Sequence, residues 1–436
     1  CRGSSVHLTV TGYVGTIEAY RYRRILPTST SWTVNSSSSP TRTYTPSSAG
    51  TWEYQVRVQS GVCPEEWGNV VTVVVNPSTV AGSVGPGNTV CQGDNSGELI
   101  LSGHTGDVLR WQVSSNNGTD WSDIPNTTTT YTSGALNVPG TYWYRAEVRS
   151  GECNPLFSSH AVITVSPATV AGSVTGGSDV CNGGNPTVLT LSSYTGSIVR
   201  WEYSYNGGAY QEITNTNPTY DPPSTTTAGT YVYRAVVKSG ACDELTSSTT
   251  TVVVNQPLSV DASVTDSDGS NDGIVCENGQ FTFNASIVNP GAGGPYVYTW
   301  SNGTGDTFAG ESDGTTVHQP PVGTHTYTLT VRDNFSPTTG FCEAVDNITV
   351  TRLDNPSVNI SPAGNPVICV NSNLNLNGNA VAGTRPLAST IWSGDVAPLN
   401  AVNVDDVVFN TGTPGLYSLT YTVTDNYGCA VSESKN

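Results

Sequence analysis

The chain has 436 residues, more than one hydrophobic core usually organises, so several domains are expected. It is only 11% charged, yet it carries 21 Tyr and 9 Trp, a composition that predicts a folded and mostly β protein rather than a disordered one. Its net charge of −18 argues against a nucleic-acid partner and against docking on an anionic membrane surface. No apolar run approaches the roughly 18 residues of a membrane span, so none is predicted.

The cysteines show an internal repeat that begins at the first residue. The ten positions are Cys1, Cys63, Cys91, Cys153, Cys181, Cys242, Cys276, Cys342, Cys369 and Cys429. The gaps between them alternate without exception between long and short: 62, 28, 62, 28, 61, 34, 66, 27 and 60. The alternation predicts five units, each with one early and one late cysteine.

The simplest pairing joins the early cysteine of each unit to its own late cysteine. It would give Cys1–Cys63, Cys91–Cys153, Cys181–Cys242, Cys276–Cys342 and Cys369–Cys429. Ten cysteines permit many connectivities, so a pairing across the short gaps, such as Cys63 with Cys91, stays open. A zinc site would need closely spaced cysteines or nearby histidines, which are lacking. Disulfides imply an oxidising compartment, and we therefore expect an extracellular or cell-surface location.

The amino-acid sequence between the cysteines repeats as well. In unit 1, Tyr54, Val56 and Val58 alternate with polar residues, the pattern of a half-buried strand, and residues 141–149 and 230–238 repeat it. A central aromatic residue recurs as Tyr20, Trp111 and Trp201. A Val-rich or Ile-rich strand followed by proline closes each of these units, which predicts short, stiff links. The predicted domains are residues 1–76, 77–166, 167–256, 257–355 and 356–436.

Units 4 and 5 form a second class. Their central tryptophans, Trp300 and Trp392, are each followed by Ser, and their late strands read Tyr-Thr-Leu-Thr-Val-Arg-Asp-Asn (residues 327–334) and Leu-Thr-Tyr-Thr-Val-Thr-Asp-Asn (residues 419–426). Unit 1 lacks the strand that precedes the early cysteine elsewhere, and unit 5 stops within its final strand. We expect either a fragment of a longer array or end strands supplied by neighbouring subunits.

About seven strand-like runs per unit predict an all-β fold, a tandem array of five immunoglobulin-like β-sandwich domains with one disulfide each. The Trp-Ser and late Tyr-Thr-x-Thr-Val-x-Asp-Asn patterns of units 4 and 5 resemble the polycystic-kidney-disease (PKD-like) sandwich. Units 1–3 resemble the immunoglobulin-like repeats of very long secreted surface proteins of Bacteroidota, including gliding-motility adhesins and type IX secretion substrates. The resemblance covers nearly the whole chain, and it implies an architecture more than a function.

The sequence shows no catalytic motif, so an enzyme is not predicted. The five histidines fall at unrelated places in different units, and no nucleophile elbow, zinc-binding helix or phosphate-binding loop is present. The strongest metal candidate is the acidic segment 266–273, where Asp266, Asp268 and Asp272 alternate around glycines. Oxygen ligands at this spacing suit a hard cation such as calcium, and the alternative is an Asp- and Gly-rich hairpin turn before Cys276.

Two loop tryptophans are candidates for ligand binding. Trp32 and Trp121 lie near Asn-, Thr- and Ser-rich runs, where exposed rings could stack on sugars. The alternative is that each ring closes the edge of its sandwich.

These patterns support three functions. The first is an extracellular structural protein, a semi-rigid stalk or filament segment of a large cell-surface adhesin. Its partners would be neighbouring repeats or copies of itself. The second is a set of sandwich modules that bind surface glycans or other cell-surface proteins. The third is a spacer within a larger secreted enzyme.

Overall fold

The computed structural model describes residues 1–26, 30–334 and 341–436, and all 37 elements assigned there are β-strands. Alternating side chains in most strands give one buried and one exposed face, as Leu99 and Leu101 do in the strand Leu99–Ser102. Each sheet draws its strands from one of the five sequence units.

The first three units share one order of strands. Unit 1 contains β1 (Val6–Thr9), β2 (Thr16–Arg24), β3 (Thr33–Ser36), β4 (Thr41–Tyr44), β5 (Gly50–Gln59), β6 (Glu66–Trp67) and β7 (Val71–Val75). Unit 2 contains β8 (Ser83–Gly85), β9 (Asn88–Cys91), β10 (Leu99–Ser102), β11 (Asp107–Ser114), β12 (Ser122–Ile124), β13 (Thr130–Tyr131), β14 (Gly140–Arg149), β15 (Leu156–Phe157) and β16 (Ala161–Ser166). Unit 3 contains β17 (Ser173–Thr175), β18 (Leu189–Ser192), β19 (Ser197–Tyr205), β20 (Gln211–Ile213), β21 (Thr219–Tyr220), β22 (Gly229–Lys238), β23 (Leu245–Thr246) and β24 (Thr250–Val254).

The last two units differ from each other in strand length, since unit 4 has four strands of 9 to 11 residues and the strands of unit 5 have 4 to 8. Unit 4 contains β25 (Leu258–Asp266), β26 (Ile274–Cys276), β27 (Phe281–Pro290), β28 (Val297–Ser301), β29 (Thr307–Ala309), β30 (Thr315–His318), β31 (Gly323–Arg332) and β32 (Glu343–Leu353). Unit 5 contains β33 (Leu374–Asn377), β34 (Leu387–Gly394), β35 (Asp406–Phe409), β36 (Leu419–Asp425) and β37 (Ala430–Lys435).

Unit 2 shows the topology in full. One sheet has the order β13-β10-β8, and the facing sheet has the order β12-β11-β14-β16-β9, with β15 also paired to β14. All of these pairs are antiparallel except β9 with β16, which run parallel. Two facing sheets with a parallel first-to-last pair are the plan of an immunoglobulin-like sandwich. The predicted fold class, an all-β tandem array of immunoglobulin-like domains, is confirmed.

Each core is built around the predicted central aromatic residue. Trp111, Trp201, Trp300 and Trp392 are at most 1% exposed, and Tyr20 takes this place in unit 1. Although Trp300 Nε1 has no hydrogen-bond partner among the described residues, a buried indole N–H group usually finds one. The Nε1 of Trp111 accordingly donates to the carbonyl oxygen of Thr128 at 2.9 Å.

The predicted pairing of cysteines within each unit is wrong. The four bridges are Cys1–Cys153, Cys91–Cys242, Cys181–Cys342 and Cys276–Cys429. Each joins the early cysteine of one unit to the late cysteine of the next. The pairing across the short gaps does not occur either. Cys63 and Cys369, which were also predicted to be bridged, are free and exposed in the described structure.

The parallel strand pair explains why the cysteines of one unit cannot meet. Cys91 lies opposite Ser166, at the end of the last strand of unit 2, whereas Cys153 lies in the turn that leads toward the start of that strand. The six residues of β16 separate these two ends of the sandwich by about 17 Å. A disulfide requires Cα atoms within about 7 Å, and the bridged pairs meet this with separations of 4.7–5.5 Å.

Non-reducing peptide mapping will test this connectivity. We expect linked peptides that contain Cys91 with Cys242 and Cys181 with Cys342, while Cys63 and Cys369 react with an alkylating reagent before reduction. A linked Cys91–Cys153 peptide in natively folded protein would contradict the connectivity.

Tyrosines of the strands β5 and β14 are buried among other rings. The rings of Tyr44 and Tyr54 lie 5.1 Å apart, and those of Tyr131 and Tyr144 lie 5.8 Å apart. Burial raises the pKa of both Tyr54 and Tyr144 to about 12. Since the fold favours the neutral phenol, this contribution to stability is complete below pH 10, the ordinary tyrosine value, and is lost as the pH rises from 10 to 12.

We therefore expect unfolding on the alkaline side to accompany a late tyrosine titration. Tyrosinate absorbance measured against pH should show that some of the 21 tyrosines ionise only above pH 11. The β-sheet circular dichroism signal should be lost over the same pH range. The Tyr144→Phe variant should lose one late-titrating group. Titration of every tyrosine near pH 10 with the sheet signal intact would show that this burial is wrong.

Candidate functional site: the junctions between units

The junctions between units are where the chain places its covalent links. In unit 1 the backbone N–H of Arg2 donates to the carbonyl oxygen of Asn76 at 2.8 Å, which holds Cys1 beside the end of the unit. Gln92 makes the same bond to Ser166 at 2.9 Å in unit 2. In both units the early cysteine therefore emerges next to the linker, on the side that faces the following unit.

The following unit presents its late Ser-Gly turn to this end. A Cβ atom at Gly151 would collide with the side chain of Asn76, and one at Gly240 would collide with the side chain of Ser166. Both glycines have a positive φ, +52° and +51°. Glycine is thus required at this contact, both for the backbone conformation and for the close approach of the preceding unit.

The late cysteines that take part in the four bridges are buried. Cys153, Cys242, Cys342 and Cys429 are between 1% and 5% exposed. A buried sulfur surrounded by protein is poorly accessible to a reductant, and thiol–disulfide exchange depends on such access. The early cysteine of each bridge is only half-buried, so one of the two sulfur atoms in each bridge is shielded.

The junction between units 4 and 5 has an additional polar contact. The hydroxyl of Tyr427, in the late turn of unit 5, lies 2.9 Å from Asp272 Oδ2 and 3.0 Å from the carbonyl oxygen of Ile274. Slight desolvation raises the pKa of Asp272, but hydrogen bonds from Tyr427 and Ser270 outweigh it and lower the pKa. Tyr427 thus connects the acidic segment of unit 4 to the next unit.

The candidate calcium ligands form a hydrogen-bonded turn. Asp266 Oδ2 accepts from the backbone N–H of Gly273 at 3.0 Å, and Asp268 Oδ1 accepts from the backbone N–H of Ser270 at 3.0 Å. Within residues 1–26, 30–334 and 341–436, no group of three or more His, Cys, Asp or Glu side chains is arranged to hold a metal ion. Calcium binding by Asp266, Asp268 and Asp272 stays a prediction.

Trp32 and Trp121 both lie just before the edge strand of their sheet, and an arginine covers each ring. The Arg21 guanidinium carbon lies 4.3 Å from the ring centre of Trp32 and 4.0 Å from that of Trp67. Arg145 lies between Trp121 and Phe157 in the same way, at 3.8 Å and 3.9 Å. Since one face of each tryptophan is engaged within its own unit, sugar stacking on these rings stays a prediction.

The stacking of Arg21 and Arg145 on the two tryptophans was not predicted from the sequence. In unit 1 the arginine is Arg21 on β2 and its cross-strand partner is Gln55, whereas in unit 2 the glutamine is Gln112 on β11 and the arginine is Arg145 on β14. The two residues exchange strands, yet the Arg–Gln hydrogen bond survives at 2.8 Å and 2.9 Å. The exchange of Arg and Gln between the two strands from one repeat to the next is the sequence signal that could have indicated this contact.

Comparisons with known proteins describe the same architecture without a function. A family model described as "Domain of unknown function (DUF8696)" matches residues 80–167 and 170–256. A search of curated protein sequences gives no match. Solved structures that resemble the chain include immunoglobulin domains 1–5 of Sidekick-1, at 11% identity and a TM-score of 0.27, covering 100% of this chain and 94% of that one.

Titin gives a second such resemblance. The I-band fragment I67–I69 of titin is 12% identical with a TM-score of 0.39, covering 64% of this chain and 99% of that fragment. Identities and scores this low carry no functional argument. Across the described residues, no helix has the length and apolar character needed to cross a membrane.

Arg145→Ala will test the stacked arginine. Loss of its contacts with two rings should lower the free energy of unfolding of unit 2 by about 1–2 kcal/mol and expose Trp121. Acrylamide quenching should increase, and hydrogen exchange should accelerate in the edge strands β12 and β15. The matched control is Arg149→Ala, an exposed arginine on the same strand. Equal effects in the two variants would contradict a specific role for Arg145.

Proposed function

We propose that this chain is a segment of an extracellular stalk or filament, in which covalent junctions hold successive sandwiches in line. The single observation that carries the proposal is the pairing of early and late cysteines between consecutive units. Bridges inside each unit would restrain that unit alone. Bridges between units instead restrain how each unit is placed relative to the next.

The bridges support a function in resisting tension because the loops they close overlap. Cys91 and Cys153 belong to different bridges, and so do Cys181 and Cys242, so that each loop encloses the start of the next. Tension along the chain would pass through sulfur–sulfur bonds around most of each unit. A unit that unfolds under tension would then release only part of its backbone length.

The oxidised bridges favour an extracellular or cell-surface location, since cytosolic thiols are kept reduced. The acidic net charge of −18 keeps copies apart through repulsion except where a specific contact forms. We further propose that units 4 and 5 are PKD-like, that the parent protein is a secreted adhesin of Bacteroidota exported by type IX secretion, and that the function is not enzymatic. The Trp-Ser and late-strand patterns support the PKD-like assignment, the resemblance of units 1–3 to repeats of Bacteroidota surface proteins supports the second proposal, and the lack of a catalytic motif in the sequence supports the third.

A shared tyrosine–carboxylate pair supports the grouping of units 4 and 5. Tyr327 donates to Asp306 in unit 4, and Tyr421 donates to Asp405 in unit 5. Both tyrosines lie on the strand that carries the repeated late motif. On the matching strand of unit 2, the Tyr144 hydroxyl has the Ser133 side chain as its hydrogen-bond partner instead.

Small-angle X-ray scattering and electron microscopy will test the stalk. In the Cys63→Ser/Cys369→Ser background, which retains all four bridges, we expect a rod with a longest dimension on the order of 150–200 Å, from five units of about 30–40 Å. Removal of one central bridge by Cys91→Ser/Cys242→Ser in that background should broaden the distribution of bend angles at the junction of units 2 and 3. A compact particle in the first variant would contradict the stalk.

A further inference from the structure

The two cysteines of a bridge between units have different surroundings. The late cysteines are between 1% and 5% exposed, whereas their early partners are half-buried and keep part of their surface in solvent. Three bridges that show this difference are Cys91–Cys242, Cys181–Cys342 and Cys276–Cys429. Each of them lies between two units of the chain, so the difference belongs to the junction itself.

A carbonyl group of the linker contributes to the shielding of the late sulfur atom. The Sγ of Cys242 lies 3.3 Å from the carbonyl oxygen of Pro167. In the preceding junction the Sγ of Cys153 lies 3.3 Å from the carbonyl oxygen of Pro77. Each oxygen occupies space against the late sulfur atom, and its partial negative charge repels an approaching thiolate.

Thiol–disulfide exchange has a direction, because the attacking thiolate bonds to only one of the two sulfur atoms. The attacked sulfur keeps the incoming group as a mixed disulfide, and the other sulfur leaves as a thiolate. In the junction of units 2 and 3, the more accessible target is Cys91 and the leaving group is Cys242. Once it has taken a proton from water, the Cys242 thiol can donate a weak hydrogen bond to the carbonyl oxygen of Pro167, which already lies at 3.3 Å.

We propose that the early cysteines Cys91, Cys181 and Cys276 are the sites at which small thiols, such as glutathione, open the bridges between units. In the first step one sulfur–sulfur bond breaks and another forms, so the thiol is the only reactant needed. A second small thiolate then attacks the sulfur of the bound small molecule, which releases the early cysteine and forms a small-molecule disulfide. In the net reaction two small thiols are oxidised and one bridge is reduced.

Opening a bridge should loosen a junction without unfolding either unit. The core cluster of unit 2 lies within residues 84–165 and that of unit 3 within residues 174–254, and no cysteine belongs to either cluster. Across this junction the backbone N–H of Ala241 donates to Ser166 Oγ at 3.4 Å, a long and therefore weak hydrogen bond. We expect the two units to bend more freely once the bridge is open. This consequence rests on the stalk function, whereas the site of attack does not.

Trapping the first product of exchange tests the direction of attack. The Cys63→Ser/Cys369→Ser background removes the two thiols that are not in bridges. Brief treatment of the folded protein with glutathione, followed by rapid alkylation with N-ethylmaleimide, should leave glutathione on the early cysteines and N-ethylmaleimide on the late ones. Peptide mapping by mass spectrometry should show an excess of early over late adducts of about tenfold, which corresponds to ~1.4 kcal/mol in activation free energy.

The same treatment in a denaturant is the matched control, because unfolding exposes both sulfur atoms of every bridge. Early and late adducts should then be roughly equal in number. An equal distribution in the folded protein, or an excess on the late cysteines, overturns the proposal. Resistance of every bridge to glutathione until the units unfold overturns it as well.

Electron microscopy and circular dichroism separate the site of attack from its consequence. After glutathione has opened the bridges of the folded protein, the β-sheet signal should be unchanged and the distribution of bend angles at the junctions should broaden. Loss of the sheet signal would show that the bridges hold the units folded, and would contradict the loosening. A compact particle before treatment would reject the stalk function, while the position of the glutathione adducts would still decide the site of attack.

Discussion

The position of the early cysteine beside the last strand of its unit determines how the array is joined, and in units 2 and 4 a parallel strand pair holds the cysteine there. Backbone hydrogen bonds between β9 and β16 hold Cys91 beside the exit of its unit, at the far end from Cys153. A sulfur at the exit can reach only the next unit along the chain, which presents its late turn there. In unit 2 the bridge to the next unit depends on this strand pair, whereas in unit 1 a backbone hydrogen bond from Arg2 to Asn76 holds Cys1 at the same place.

The two classes of unit use the same junction with different side chains. Between units 1 and 2 and between units 2 and 3, a glycine lets the turn approach the preceding linker. Between units 4 and 5, a tyrosine hydroxyl reaches back to Asp272 in the preceding acidic turn. The strand topology around both is shared, since β26 pairs with β32 in parallel as β9 does with β16. The cysteine spacing is thus a property of the topology rather than of the local sequence.

Much of the fold could be predicted from the sequence because sheet structure leaves a local signature. Tyr54 and the recurrent central aromatic residue both reappear as buried core positions, including Tyr20 in place of tryptophan, whereas Val56 and Val58 are only half-buried. The disulfide pairing could not be predicted in the same way. Counting two cysteines per unit shows how many there are, but not which end of the sandwich each occupies, and that depends on a short parallel pairing with little sequence signal.

The candidate sites show the same division between local and long-range information. The turn at Asp266 and Asp268 follows from local Asp-Gly chemistry, and its hydrogen bonds lie within the segment. The bond from Tyr427 to Asp272 joins residues 155 positions apart and has no local precursor. The arginine stacks on Trp32 and Trp121 likewise depend on strand neighbours that alternate between repeats.

The overlap of successive disulfide loops also gives the chain redundancy against cleavage. From Cys1 to Cys429, every peptide bond lies inside at least one loop closed by a bridge. A protease that cuts once, in an exposed turn or linker, leaves both fragments attached through sulfur. Separating the two ends would require several cuts, placed so that no remaining piece of chain joins one bridge to the next, so a molecule cleaved once keeps its two ends connected.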